Sequence, residues 1–144
     1  MNLIAHRGYS DLAPENTYSS FDLAISKGFK IFELDVQLTK DNIPIIFHDY
    51  DLKRICNLDL LIKNTEYKFL SKLDAGSWFD KKYFDQRIPT FENILKKYKN
   101  QVHLQIELKS HEKDLANIVI NKLKKMDWYN IDSKPYEVPG YSIT

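Results

Sequence analysis

Carboxylates on an apolar strand need a partner or a task, because an unpaired buried charge is costly. Glu33 and Asp35 lie two residues apart in "KIFELDVQLTKD", and Glu107 occupies a comparable place in "VHLQIELK". Together they form an all-oxygen set suited to one hard divalent cation, Mg²⁺ or Ca²⁺, and their like charges would repel without one. His6 in "IAHRG" and His48 in "IIFHD" add two imidazoles, which titrate near neutral pH and can both take and give a proton. Arg7 directly follows His6 and Lys109 stands two residues beyond Glu107, so fixed positive charges accompany the acids and bases.

These residues converge only if particular elements carry them. "NLIAH" at 2–6 reads as a short buried strand. From Asn16 the period changes to that of a helix, with Tyr18, Phe21, Ala24 and Ile25 on one face and Gly28 placed to stop it. In the next strand Ile31, Glu33, Asp35, Gln37 and Thr39 alternate with Phe32, Leu34, Val36 and Leu38. A two-residue hairpin turn at Asp41 and Asn42 would set Asp35 directly opposite His48 and bring Glu33, Asp35 and His48 to one spot. Residues 50–88 read as an excursion with short helices. Thr90 then caps a helix carrying Phe91, Ile94, Leu95 and Tyr98, and residues 102–109 form another alternating strand. Ser110 is expected to cap the helix whose stripe is Leu115, Ile118, Val119, Leu123 and Met126. Alternating strands and helices predict an α/β architecture with a largely parallel sheet.

Composition narrows the partners. The chain has 144 residues, 43% of them apolar, enough for one domain with an ordinary core. Its 21 Lys and Arg against 20 Asp and Glu leave a net charge of +1, so no broad electrostatic footprint for nucleic acid or an anionic membrane is expected. Cys56 is the single cysteine and no metal or redox motif surrounds it. Neither a signal segment nor an apolar run of membrane-spanning length is read in the sequence, which predicts a cytoplasmic protein without stable membrane insertion.

Seven blocks occur in one order: "HRG" at 6–8, "APENT" at 13–17, "ELDVQLTKD" at 33–41, "PIIFHD" at 44–49, "LDAGSWF" at 73–79, "RIPTFENIL" at 87–95 and "IELK" at 106–109. The series resembles the glycerophosphodiester phosphodiesterase family. The resemblance implies a (β/α)₈ TIM barrel with its site at the C-terminal ends of the strands. It also implies metal ligands at Glu33, Asp35 and Glu107, an acid and base pair at His6 and His48 in either assignment, and phosphate-holding groups at Arg7 and Lys109. The implied reaction is metal-dependent hydrolysis of small glycerophosphodiesters to glycerol 3-phosphate and an alcohol. A whole barrel of this kind takes on the order of 250 residues. Only the N-terminal part of the barrel, residues 1–126, is therefore expected here, followed by an irregular tail over 127–144 and by self-association through exposed sheet edges. A catalytically inactive remnant of such an enzyme is the alternative reading.

Overall fold

A computed structural model of the chain describes residues 3–110, 112–129 and 139–144. Strand β1 (Ile4–His6) is joined to β2 (Ile31–Leu38) through helix α1 (Tyr18–Ser26). The local chemistry of α1 is complete at both ends. Thr17 caps it and forms a reciprocal capping box with Ser20. At its other end Gly28, at φ +85°, donates to Ile25 O, and Phe29 donates to Ala24 O, so the last carbonyls are satisfied by a left-handed stop.

Strand β2 is the centre of the sheet. One of its edges carries β4 (His103–Leu108) in parallel, with Asp35 beside Glu107. The other edge is shared by β1, parallel, with His6 beside Glu33, and by β3 (Pro44–Ile46), antiparallel. Strand β5 (Gly140–Ile143) extends the sheet as a parallel neighbour of β4. Short helices α2 (Lys53–Cys56) and α3 (Tyr67–Leu70) follow β3, then α4 (Phe91–Lys97) precedes β4 and α5 (Leu115–Lys125) follows it. No helix among the described residues is long and apolar enough to cross a membrane.

The helices cover one face of the sheet. Phe21, Phe32 and Tyr98 meet there with ring centroids 5.1 to 5.9 Å apart, and the Tyr98 hydroxyl donates to Asp22. Leu34, Val36, Leu104, Ile106, Val119 and Leu123 complete this core. A second apolar cluster, including Ile45, Phe47, Leu52, Ile62, Leu70 and Ile88, lies beneath the excursion after β3. The polar face of β2 and β4 is left to carry the site.

Three expectations are corrected. The β2–β3 register pairs Val36 with Ile46 and Leu38 with Pro44, one residue away from the expected hairpin, so Phe47 rather than His48 stands opposite Asp35 and donates its N–H to Asp35 O. The cause is the turn. Thr39 and Ile43 close it, leaving Lys40, Asp41 and Asn42 as a three-residue loop with Asn42 left-handed at φ +59°. Ser110 does not cap α5, which begins four residues later after Asp114. The tail expected over 127–144 is structured at both of its described ends: Trp128 is buried, and Gly140–Ile143 is β5. Residues 130–138 of that stretch lie outside the described residues.

Candidate active site

At the end of β1 the chain turns sharply on Arg7 and Gly8, both left-handed at φ +55° and +79°. Gly8 is required twice over, since a Cβ there would also stand 2.3 Å from Ser20 Oγ. The turn directs the Arg7 N–H at Glu33, whose backbone oxygen and Oε2 accept at 3.0 and 3.1 Å. It also leaves His6 at the mouth of the site, with its ring mostly exposed and Nε2 3.8 Å from Glu33 Oε2. The Arg7 guanidinium lies over the acids, Nε 3.3 Å from Asp35 Oδ2 and Nη1 3.4 Å from Glu15 Oε1.

Alternation on β2 puts Glu33 and Asp35 on one face, and parallel pairing brings Glu107 alongside. One carboxylate oxygen from each of the three lies within 4.8 Å of the others. Glu33 Oε1 and Asp35 Oδ1 are buried without a hydrogen-bond partner. Orphaned buried carboxylate oxygens are costly, and these two, with a Glu107 oxygen from the neighbouring strand close by, fit a hard divalent cation in chemistry and number. Burial, then the neighbouring Asp35, pushes Glu33 up to about 7. Burial also raises Asp35, against the opposing pull of the Asn16 amide and Arg7. Glu107 goes the other way, because Lys109 donates to its Oε1 at 3.1 Å and holds it below the usual carboxylate range.

His48 follows β3, partly buried, with Nδ1 2.8 Å from Asp49 Oδ1. Despite the slipped register His48 lies within electrostatic reach of both Asp35 and Glu107. Gln37 accounts for this: its side-chain amide donates to Phe47 O at 2.7 Å and Asp49 O at 2.8 Å, folding the segment around His48 back onto β2.

The structure thus brings Glu33, Asp35, Glu107, Arg7 and Lys109 together, sets His6 against Glu33, and holds His48 within electrostatic reach of the same acids. Reading the sequence for reactive types missed the supports. Asn16, left-handed at φ +56° and buried, donates to Asp35 Oδ2 at 2.9 Å, while its own N–H donates to Arg7 O. Glu15, Asp49 and Gln37 also went unassigned. "APENT" and "HD" were visible as blocks, but which strand each would touch was not.

Comparison with known proteins places this arrangement. Residues 6–134 match the model of the glycerophosphoryl diester phosphodiesterase family. The Bacillus subtilis protein YhdW is 47% identical over 111 residues, 77% of this chain and 46% of that protein. A glycerophosphodiester phosphodiesterase of the same organism is 33% identical over 145 residues, covering 94% of this chain and 50% of its own length. Among solved structures, an Oleispira antarctica phosphodiesterase in complex with the product sn-glycerol-3-phosphate superposes with a TM-score of 0.82 at 37% identity, over 99% of this chain and 57% of that one. The glycerophosphodiester phosphodiesterase of Agrobacterium tumefaciens gives a TM-score of 0.81 at 28% identity, covering 88% and 56%. The chain therefore spans about half the length of the curated relatives it matches, and its parallel sheet is part of a (β/α)₈ barrel. With the family model matching most of its length and the sheet superposing on such enzymes, the chain belongs to the glycerophosphoryl diester phosphodiesterase family.

Proposed function

We propose that the protein hydrolyses glycerophosphodiesters to glycerol 3-phosphate and an alcohol, with one divalent cation, Mg²⁺ or Ca²⁺, held by Glu33, Asp35 and Glu107. The observation that carries this reading is the pair of orphaned buried oxygens on Glu33 and Asp35, facing Glu107 at the foot of two cations, Arg7 and Lys109. The glycerol 3-phosphate bound by the Oleispira antarctica relative supports the substrate class.

In this reading Arg7 and Lys109 bind the non-bridging oxygens of the phosphodiester and stabilise the charge that grows on them in the transition state. A cation at the carboxylates would supply further polarisation of the phosphoryl group. His6 and His48 divide the proton transfers: one takes the proton of the attacking hydroxyl and the other protonates the departing alkoxide. Where the hydroxyl is water's, glycerol 3-phosphate forms directly, and where it is the substrate's own neighbouring group, a cyclic phosphate forms that water then opens to glycerol 3-phosphate. His6, with its ring mostly exposed, suits the side open to solvent, and His48, held by Asp49, is the fixed partner.

The test is direct. The purified chain is incubated with glycerophosphocholine and either Mg²⁺ or Ca²⁺, and glycerol 3-phosphate is followed by a coupled assay. Release that EDTA abolishes is expected. A folded chain that releases none with either ion would overturn the proposal in favour of an inactive member of the family.

A further inference from the structure

The excursion after β3 contributes a cation that the reaction itself does not use. Arg54, on α2, donates from Nε and Nη2 to Asp49 Oδ2 and Oδ1, each at 2.9 Å. From Nη1 and Nη2 it donates to Glu15 Oε2 at 3.0 Å and Oε1 at 2.7 Å. Two carboxylates are thus each gripped by a two-bond fork, a task for which a planar guanidinium is built and a lysine ammonium is not. The guanidinium also lies 5.3 Å from the centre of the Trp78 ring, whose indole N–H donates to Ala75 O at 3.0 Å. Beside Trp78 the loop packs so closely that a Cβ on Gly76 would stand 2.0 Å from Tyr83 O. "LDAGSWF" therefore builds a platform under Arg54.

Both acids in this clasp have a second partner in the site. Glu15 Oε1 is 3.4 Å from Arg7 Nη1, and Asp49 Oδ1 is 2.8 Å from His48 Nδ1. The hydrogen bonds from Arg54, followed by the bond to His48, hold the Asp49 carboxyl below its usual range. An ionised carboxylate only accepts, so the hydrogen shared with His48 sits on Nδ1, and the lone pair is left on Nε2.

We propose that Arg54 is a positioning residue: it locks Asp49 in place, anchored through Glu15 to the loop that carries Arg7, and thereby fixes the orientation and tautomer of the His48 ring. The link to His48 stands on this geometry alone, while its value to catalysis rests on the phosphodiesterase reading.

The experiment reads the ring rather than turnover, so that the two readings fail separately. The imidazole nitrogens of His48 are followed by long-range nitrogen–proton correlation spectra in the ¹⁵N-labelled chain, for the wild type, Arg54→Gln and Arg54→Lys, with near-ultraviolet circular dichroism as the fold control. The wild type is expected to show one tautomer, protonated at Nδ1. In Arg54→Gln the separation between the two nitrogen signals should collapse towards tautomer averaging, and Arg54→Lys should restore it only in part. A folded Arg54→Gln with wild-type His48 signals overturns the proposal, and so does full restoration by lysine. Should the glutamine variant not fold, the lysine variant decides: altered His48 signals in a native fold support the assignment, and unaltered ones overturn it. Absence of glycerophosphocholine hydrolysis in the wild type bears on the phosphodiesterase reading and leaves the His48 result intact.

Discussion

At the scale of single residues the acids were readable because alternation is a local property: Glu33 and Asp35 share a face whatever the rest of the fold does. Asn16 and Glu15 were not, because their partners Asp35 and Arg54 lie 19 and 39 residues away and no short-range pattern links them. The same residues set the pH behaviour. Glu33 has a folded value of about 7 against an ordinary 4.5, so the folded state binds this proton more tightly than the unfolded one. Its stabilising effect is full below about pH 4.5 and is lost as pH rises through about 7, a change on the order of 3 kcal/mol from this group. Without metal, the melting temperature should therefore fall between pH 5 and 8, Glu33→Gln should flatten that fall, and Mg²⁺ or Ca²⁺ should restore the wild type at pH 8. Thermal melts in the four conditions check this, and a wild-type curve no steeper than that of the variant counts against the buried-acid account. The variant should also bind either ion more weakly by calorimetry. His48→Ala tests the proton-transfer role: kcat for glycerophosphocholine should drop by about 10² to 10⁴ with the circular dichroism spectrum retained. Loss of the fold instead would make His48 a structural residue.

At the scale of elements, α1, β2, α4 and β4 were legible because each combines a sustained period with a cap or a stop. The failures share a cause: they turn on side-chain bonds or on segments too short to show a period. The hairpin slipped by one residue because Thr39 Oγ1 both accepts from Ile43 N–H and donates to Asp41, closing a loop one residue longer than the sequence suggests. Strand β5 was missed because its alternation, Tyr141 and Ile143 towards the helix-side core, runs over only four residues next to Pro139. Ser110 looked like a cap by type, but α5 starts after Asp114. The hairpin yields a quantitative expectation. Asn42 sits at φ +59°, where a β-branched side chain costs about 1–2 kcal/mol and glycine costs little. Asn42→Val should lower the unfolding free energy in urea by that amount, and Asn42→Gly should leave it within about 0.5 kcal/mol of wild type. Equal effects of the two would mean that the loop is not left-handed at this position.

At the scale of the whole molecule, a parallel sheet is stable when both faces and both edges are covered. The helices cover one face, while the other carries charge, and among the described residues no strand lies on the outer side of β1 or of β5. Leu3 is 59% exposed and Ile4 42%, so the β1 edge, with no strand beyond it among the described residues, presents apolar side chains. An edge of that kind is a template for pairing with another strand, and a second copy of the chain is the nearest source of one at high protein concentration. The isolated 144-residue chain is therefore expected to self-associate through this edge, with a sedimentation coefficient and a melting temperature that both rise with protein concentration. Ile4→Lys would place a charge on the edge without touching the site, since Ile4 pairs with Ile31 at the far end of the β1–β2 ladder from His6 and Glu33. That variant should shift the sedimentation distribution to the monomer and keep its metal affinity. A wild-type chain that sediments as a monomer at every concentration, with a concentration-independent melt, would show that the edge is already protected, and the association would be discarded.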